Sequence, residues 1–286
     1  MGPLRGFDYF WAVGTLRAIF DLYISASVHV ALAVVCLLCL TVLQFETTVP
    51  PALYWFVFFG TVSGYNFVKY AMAAGLQHLG LGKRLRVVQV FSFVCTAMCA
   101  FFGFQLAPPV LVTTAGFAVL TLFYALPLYR SKTLRTVPGL KIFVVATVWA
   151  GVTVVLPCVA ASVTFTAGVW LTFVQRFLTV LVLTLPFELR DLQSDTLHLG
   201  TLPQKWGVGS TKTFGGLCLL VTFGIEFFKE GTRFAQTAAL LVMCLLTGAA
   251  LLCAKKRQPR YYSSFWVEGL PAVWLATVVL LGRLFL

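Results

Sequence analysis

The stretch Leu185-Pro-Phe-Glu188-Leu-Arg190-Asp191-Leu-Gln-Ser-Asp195-Thr-Leu-His198-Leu-Gly200-Thr-Leu-Pro203-Gln-Lys205-Trp-Gly207 leaves a strongly apolar run and places three carboxylates, at 188, 191 and 195, in quick succession. Steps of three and four residues bring all three onto one stripe of a helix. Unpaired, they would repel one another. A divalent cation or a cationic neighbour removes the conflict; the plainer alternative is that they are solvated, or paired with Arg190 and nearby lysines. The rest of the chain reads as a scaffold that holds this stripe at one membrane surface.

Of the 286 residues, 60% are hydrophobic and only 10% charged. Soluble globular domains carry about 25% charged residues, so the chain is read as a single transmembrane domain, 1–286. A net charge of +12 would suggest nucleic acid in a soluble protein. Here it is read as the Lys/Arg excess of cytoplasmic loops, with no nucleic-acid partner. No cleavable signal peptide is expected, because Asp8, Arg17 and Asp21 interrupt any apolar core before Ser25. The cysteines lie in or beside apolar runs and read as small buried residues; the Cys36/Cys39 pair has no second pair or histidine near it.

Residues 4–22, within an N-terminal segment 1–23, mix large apolar groups with Arg5, Asp8, Arg17 and Asp21, the pattern of an amphipathic helix lying at the interface. Nine apolar runs follow, at about 24–45, 51–71, 85–106, 109–128, 140–161, 166–189, 213–228, 234–253 and 265–286. The expected fold is therefore all-α, a polytopic membrane protein with nine transmembrane helices. Alternate connections hold Lys83, Arg84 and Arg86; Arg130, Lys132, Arg135 and Lys141; Arg190, Lys205 and Lys212; and Lys255, Lys256, Arg257 and Arg260. The intervening turns carry few basic residues, chiefly Lys229 and Arg233. The positive-inside rule then puts the N-terminus and the acidic stripe in the cytoplasm. The second run ends at the same depth with Gly60-Thr-Val-Ser-Gly64-Tyr65-Asn66-Phe67-Val68-Lys69-Tyr70.

Taken together, these residues resemble the UbiA superfamily of intramembrane prenyltransferases. Asp191-x-x-x-Asp195, followed by Gly200-Thr201-Leu202-Pro203 and Gly207, looks like the family's second Asp-rich motif in both sequence and position after the sixth span. Tyr129 and Lys132, with Arg130 and Arg135 beside them, loosely resemble its Tyr/Lys motif after the fourth. The resemblance implies nine helices around a central cavity, an isoprenoid diphosphate and an acceptor as substrates, and Mg2+ as cofactor. It implies catalytic roles at Asn66, Lys69, Tyr70, Asp191 and Asp195, and diphosphate binding at Lys69, Tyr129, Arg130 and Lys132. The first motif departs from the family: aligned on Asn66, the usual aspartates fall on Phe67, Tyr70 and Ala74. Half of the family's metal-binding carboxylates are thus replaced, with Lys69 in the same turn. The expected location is a bacterial inner (cytoplasmic) membrane, with the site on the cytoplasmic side.

The chemistry is consistent with that reading. Magnesium is a hard cation held by one or two carboxylates together with phosphate oxygens. Asp191 and Asp195 suit one such ion, and Glu188 is either a third ligand or a partner that orients Arg190. Lys69, Arg130 and Lys132 are candidates to stabilise charge growing on a diphosphate leaving group. Tyr65, Phe67, Tyr70 and Tyr124 are candidates to steady an allylic cation. Packing between helices explains Asn66 equally well, and snorkelling explains Lys69. Arg176, deep in the sixth run, needs a partner; Glu226 is the expected one, in a structural ion pair. Glu268 starts the last run and could join the polar mouth, whereas His29 and His78 read as structural. Two other classes stay open: a non-catalytic binder of a lipid diphosphate or a partner protein, motivated by the missing aspartates, and a transporter, disfavoured because the charges gather at one mouth.

Overall fold

The computed structural model describes residues 16–76, 83–125, 139–192 and 201–284, with side chains described for these except at 70–76, 83–85 and 124–125. Among the described residues every regular element is helical. The helices are α1 (Leu16–Ser25), α2 (Val28–Gln44), α3 (Pro51–Leu76), α4 (Lys83–Gly103), α5 (Pro108–Ala125), α6 (Leu140–Ala150), α7 (Leu156–Ala160), α8 (Ala167–Asp191), α9 (Leu202–Ile225), α10 (Phe234–Cys253) and α11 (Leu270–Leu284). Six helical segments are long and apolar enough to cross a membrane, or seven if the bent pair α1–α2 counts as one crossing. The protein is a polytopic helical membrane protein.

Successive helices pack on one another. α6, α8, α9, α10 and α11 form one connected series, and α11 returns against α2, which continues into α3 and α4. The largest apolar core is shared by α2, α6, α8, α9, α10 and α11, with Leu37, Leu181, Leu185, Leu189, Leu240 and Leu251 at its centre. Close approach requires small residues in places. A Cβ at Gly151 would lie 2.0 Å from the Phe117 ring, so only glycine lets α5 sit this near.

Three breaks shape the bundle. α1 and α2 meet at 57°, with Ser27 in the left-handed region at φ 62, a conformation costing of order 1–3 kcal/mol for a non-glycine residue unless its surroundings hold it. Asn66 of α3 holds it: its amide donates to the Ala26 carbonyl at 3.1 Å and its oxygen accepts from the Ser27 hydroxyl at 2.7 Å. The first run therefore splits at 26–27 instead of continuing unbroken from residue 24.

Between α6 and α7 the chain forms a π turn, Gly151–Val155. Pro157 has no N–H to offer the Thr153 carbonyl. The Thr41 hydroxyl of α2 donates to that carbonyl instead, at 2.6 Å, both residues being wholly buried.

The third break is in α9, which begins at Leu202, well before the apolar run expected at 213–228. Pro203 in its first turn and the Gln204 side chain, which accepts from the Thr201 N–H at 3.0 Å, start the helix there. Gly207 interrupts it at φ 80, ψ 167, a region open essentially to glycine alone. Lys205 and Lys212 on its first turns lower the hydropathy, which is why the apolar run seemed short.

Candidate active site at the acidic end of the bundle

The ends of α1, α3 and α8 and the starts of α6, α9 and α11 gather at one end of the bundle. Glu188 is 3% exposed and paired with Lys141 Nζ of α6 at 2.6 Å. Arg190 donates from Nε to Asp191 Oδ1 at 2.8 Å and lies over the Phe187 ring, 5.2 Å from its centre. The expectation that Glu188 orients Arg190 is therefore corrected. Residues two apart on a helix do not face each other, and each of these carboxylates has a separate cation. A metal at Glu188 would have to displace Lys141.

Lys69 of α3 is exposed to the space at this end and donates to the Ser25 carbonyl at 3.2 Å. With Asn66 it satisfies the backbone oxygens that the α1–α2 break sets free. Asn66 also donates to Ser92 Oγ of α4 at 2.9 Å, so both of its amide hydrogens and its oxygen are engaged in a site 2% exposed. This is the inter-helix packing alternative in full. Glu268, at the start of α11, is buried in the neighbourhood of Lys69 and Arg190. Three helices far apart in sequence thus bring acidic and basic side chains to one place. Beside them, Tyr23 Oη meets His29 Nδ1 at 2.7 Å, and His29 Nε2 meets the Phe265 carbonyl at 2.9 Å. A carbonyl only accepts, so Nε2 carries the proton and Nδ1 accepts from the phenol. His29 is structural, as expected.

The rim is closed by Asp21 of α1, which pairs with Arg260 at 3.1 Å and accepts from the Tyr261 hydroxyl. Among the candidate aromatics, Tyr65 stands edge-on to Trp149 with centroids 6.4 Å apart, and Phe67 is 43% exposed. The expected site residues Asp195, Tyr129, Arg130 and Lys132, and the Tyr70 side chain, lie outside the described residues, as does the Tyr124 side chain. Among the described residues no three His, Cys, Asp or Glu side chains converge as metal ligands. Asp191 is a hard oxygen donor of the kind magnesium prefers, and at Glu188 such an ion would compete with Lys141 for the carboxylate. Sequence reading gave Glu268 only a passing role, and missed the Glu188–Lys141 pair because the partners are 47 residues apart.

The fold can now be set beside known ones. The structure superposes on that of a digeranylgeranylglyceryl phosphate synthase in membranes, with a TM-score of 0.55 at 13% identity, covering 92% of this chain and 96% of that one. The two chains share a fold. At the level of sequence no family model matches, and no curated protein matches either. The likeness therefore lies in the path of the helices, and agrees with the scaffold implied by the resemblance of Asp191-x-x-x-Asp195 and Gly200–Gly207.

Proposed function

We propose that this protein is an intramembrane prenyltransferase of the UbiA type, moving an isoprenoid chain from its diphosphate to an acceptor. The observation that carries the reading is the fold shared with a membrane synthase over nearly the whole of both chains. The charged cluster of Lys69, Arg190, Asp191 and Glu268 at one end supports it. In the proposed reaction the bond between the allylic carbon and the diphosphate oxygen breaks, and the electron pair leaves with the diphosphate. The acceptor's nucleophile bonds to that carbon and gives up its proton. Magnesium held by Asp191 and Asp195 would neutralise diphosphate charge. Lys69 and Arg190 do the same from the protein's side, where fixed cations are worth most because they need no reorganisation. Arg130, Lys132 and Tyr129 would bind the diphosphate, and Tyr70 would lie beside it.

The finer topology belongs to the same proposal: nine crossings, the N-terminus and this site on the cytoplasmic face, in a bacterial inner membrane. The gathering of Lys141, Arg190, Lys205, Lys212, Lys255, Lys256, Arg257 and Arg260 around one end supports that orientation. The decisive assay is release of diphosphate from prenyl diphosphates of several chain lengths by the purified protein, with and without magnesium. Turnover lost in the Asp191→Asn/Asp195→Asn double variant is expected. No turnover by folded protein with any donor and acceptor pair would sink the reading.

A second reading, a non-catalytic binder of a lipid diphosphate, is favoured by the engagement of Asn66 and Lys69 in the α1–α2 break, with Phe67, Tyr70 and Ala74 standing where the family has carboxylates. Diphosphate binding that survives the double variant, without turnover in the parent, would establish it.

A further inference from the structure

Further back along α8, twelve residues or roughly 18 Å along the axis from Glu188, lies a second polar cluster. It is built from Gln175 and Arg176 of α8, Glu226 and Lys229 at the end of α9, Gln44 of α2 and Gln236 of α10. Most of it is self-sufficient. Lys229 pairs with Glu226 at 2.7 Å, both side chains being about 5% exposed or less. Gln175 donates to Glu226 at 3.0 Å and to the Thr222 carbonyl at 2.9 Å, and accepts from Lys229 at 2.9 Å. Thr237 donates to the other Glu226 oxygen at 3.4 Å. The Glu226 carboxylate is fully committed to these groups.

Arg176 is different. It is 2% exposed, and no carboxylate among the described residues is paired with it. The expected Arg176–Glu226 ion pair is not formed, because Lys229, three residues beyond Glu226, has taken the carboxylate. Of its five N–H donors, one reaches the Leu37 carbonyl and another the Thr41 hydroxyl at 3.5 Å, and the Trp274 ring covers the guanidinium at 5.1 Å. It lines a cavity with about 20 Å3 of free interior, bounded also by Leu40, Leu240, Trp274 and Val278. That is room for one oxygen-sized group.

One positive charge is thus left over: two cations and one carboxylate share the cluster. Carbonyls, hydroxyls and a ring satisfy direction but not charge, and an uncompensated cation at this depth is costly. A water molecule would fill the space and leave the imbalance. We propose that the Arg176 cavity is a binding site for a singly charged anionic oxygen of phosphate type, whether a phospholipid headgroup or free phosphate. One oxygen enters between α2, α8, α10 and α11 and meets the free edge of the guanidinium. Gln44 and Gln236 also line the cavity; each amide donates one N–H to a protein oxygen, Thr172 Oγ1 at 2.7 Å and the Leu43 carbonyl at 3.4 Å, and has a second N–H to offer. The site is remote from the acidic end and does not depend on the transferase reading.

The test is thermal unfolding of the purified full chain in a neutral detergent at fixed ionic strength. One arm titrates inorganic phosphate against chloride, and the other titrates dihexanoyl phosphatidylglycerol against an uncharged short-chain detergent. A rise of several degrees at saturating probe is expected in the parent, lost in Arg176→Gln and at least partly kept in Arg176→Lys. Response to phosphate alone identifies a free anion, response to the lipid alone identifies a headgroup, and response to both means the shared oxygen chemistry suffices. Should Arg176→Gln fail to fold, Val278→Trp, which fills the cavity and keeps the charge, must also abolish the rise. Equal shifts in parent and Val278→Trp, or no shift with either probe, overturn the proposal. Because the readout is stability, it stands or falls separately from prenyl transfer.

Discussion

The two polar clusters along α8 solve the same electrostatic problem in opposite ways. At the acidic end, carboxylates and cations from different helices meet at a partly wet mouth. Glu188 and Lys141 pair, Arg190 turns to Asp191, and Glu268 is buried near Lys69 and Arg190. In the other cluster Glu226, Lys229 and Gln175 form a closed buried network, and Arg176 is left with dipoles and a ring. Charges beside a mouth can take on a charged ligand and release it. Those in the buried cluster hold helices together, and they can exchange a partner only through a cavity one atom wide.

Four experiments test that contrast, in falling order of effect. Asp191→Asn with Asp195→Asn should lower prenyl-diphosphate turnover by at least a hundredfold, since each fixed electrostatic group at a reacting centre is worth about 10²–10³, while leaving the melting temperature nearly unchanged. A large loss of stability instead would make the mouth structural like the buried cluster. Lys229→Met leaves Glu226 buried without its cation and should cost about 3–5 kcal/mol, seen as a lower midpoint in thermal melts; adding Glu226→Gln should return part of the loss. Asn66→Ala removes hydrogen bonds to Ala26, Ser27 and Ser92 and should cost about 1–3 kcal/mol. If the clamp is its whole role, turnover per folded molecule stays within a fewfold of the parent. A drop of a hundredfold in well-folded protein would move Asn66 into the reaction. Last, Glu46 and Arg233 form an ion pair with side chains 57% and 60% exposed; Arg233→Gln should shift stability by less than about 1 kcal/mol, a baseline for the buried pair.

The all-helical class, the segregation of basic residues along the chain and the burial of Arg176 were legible in the sequence. Each follows from composition or from a residue type out of place. The breaks were not. Nothing in Ser25-Ala26-Ser27 announces a 57° bend, because what holds it is Asn66, forty residues away. The start of α9 was hidden by Lys205 and Lys212, which depress hydropathy without depressing helix formation. Glu226 looked like the partner of Arg176 because depth can be read from position along a span, whereas competition from Lys229 depends on a 3-10 turn that rotates the two side chains together. At the mouth, Glu268 stood alone in its segment, and only the return of α11 against α2 brings it to Lys69.

Pro157 has a reach beyond its own crossing. By denying the Thr153 carbonyl an amide, it commits the single hydroxyl proton of Thr41 to that oxygen, so the hydroxyl can offer Arg176 only lone pairs. Replacing Pro157 with alanine would restore a competing amide and let that proton turn to the Leu37 carbonyl one turn back, the oxygen that Arg176 also uses. The polarity felt by a cation on one helix is thus set by an imino acid on another, relayed through a threonine that touches both.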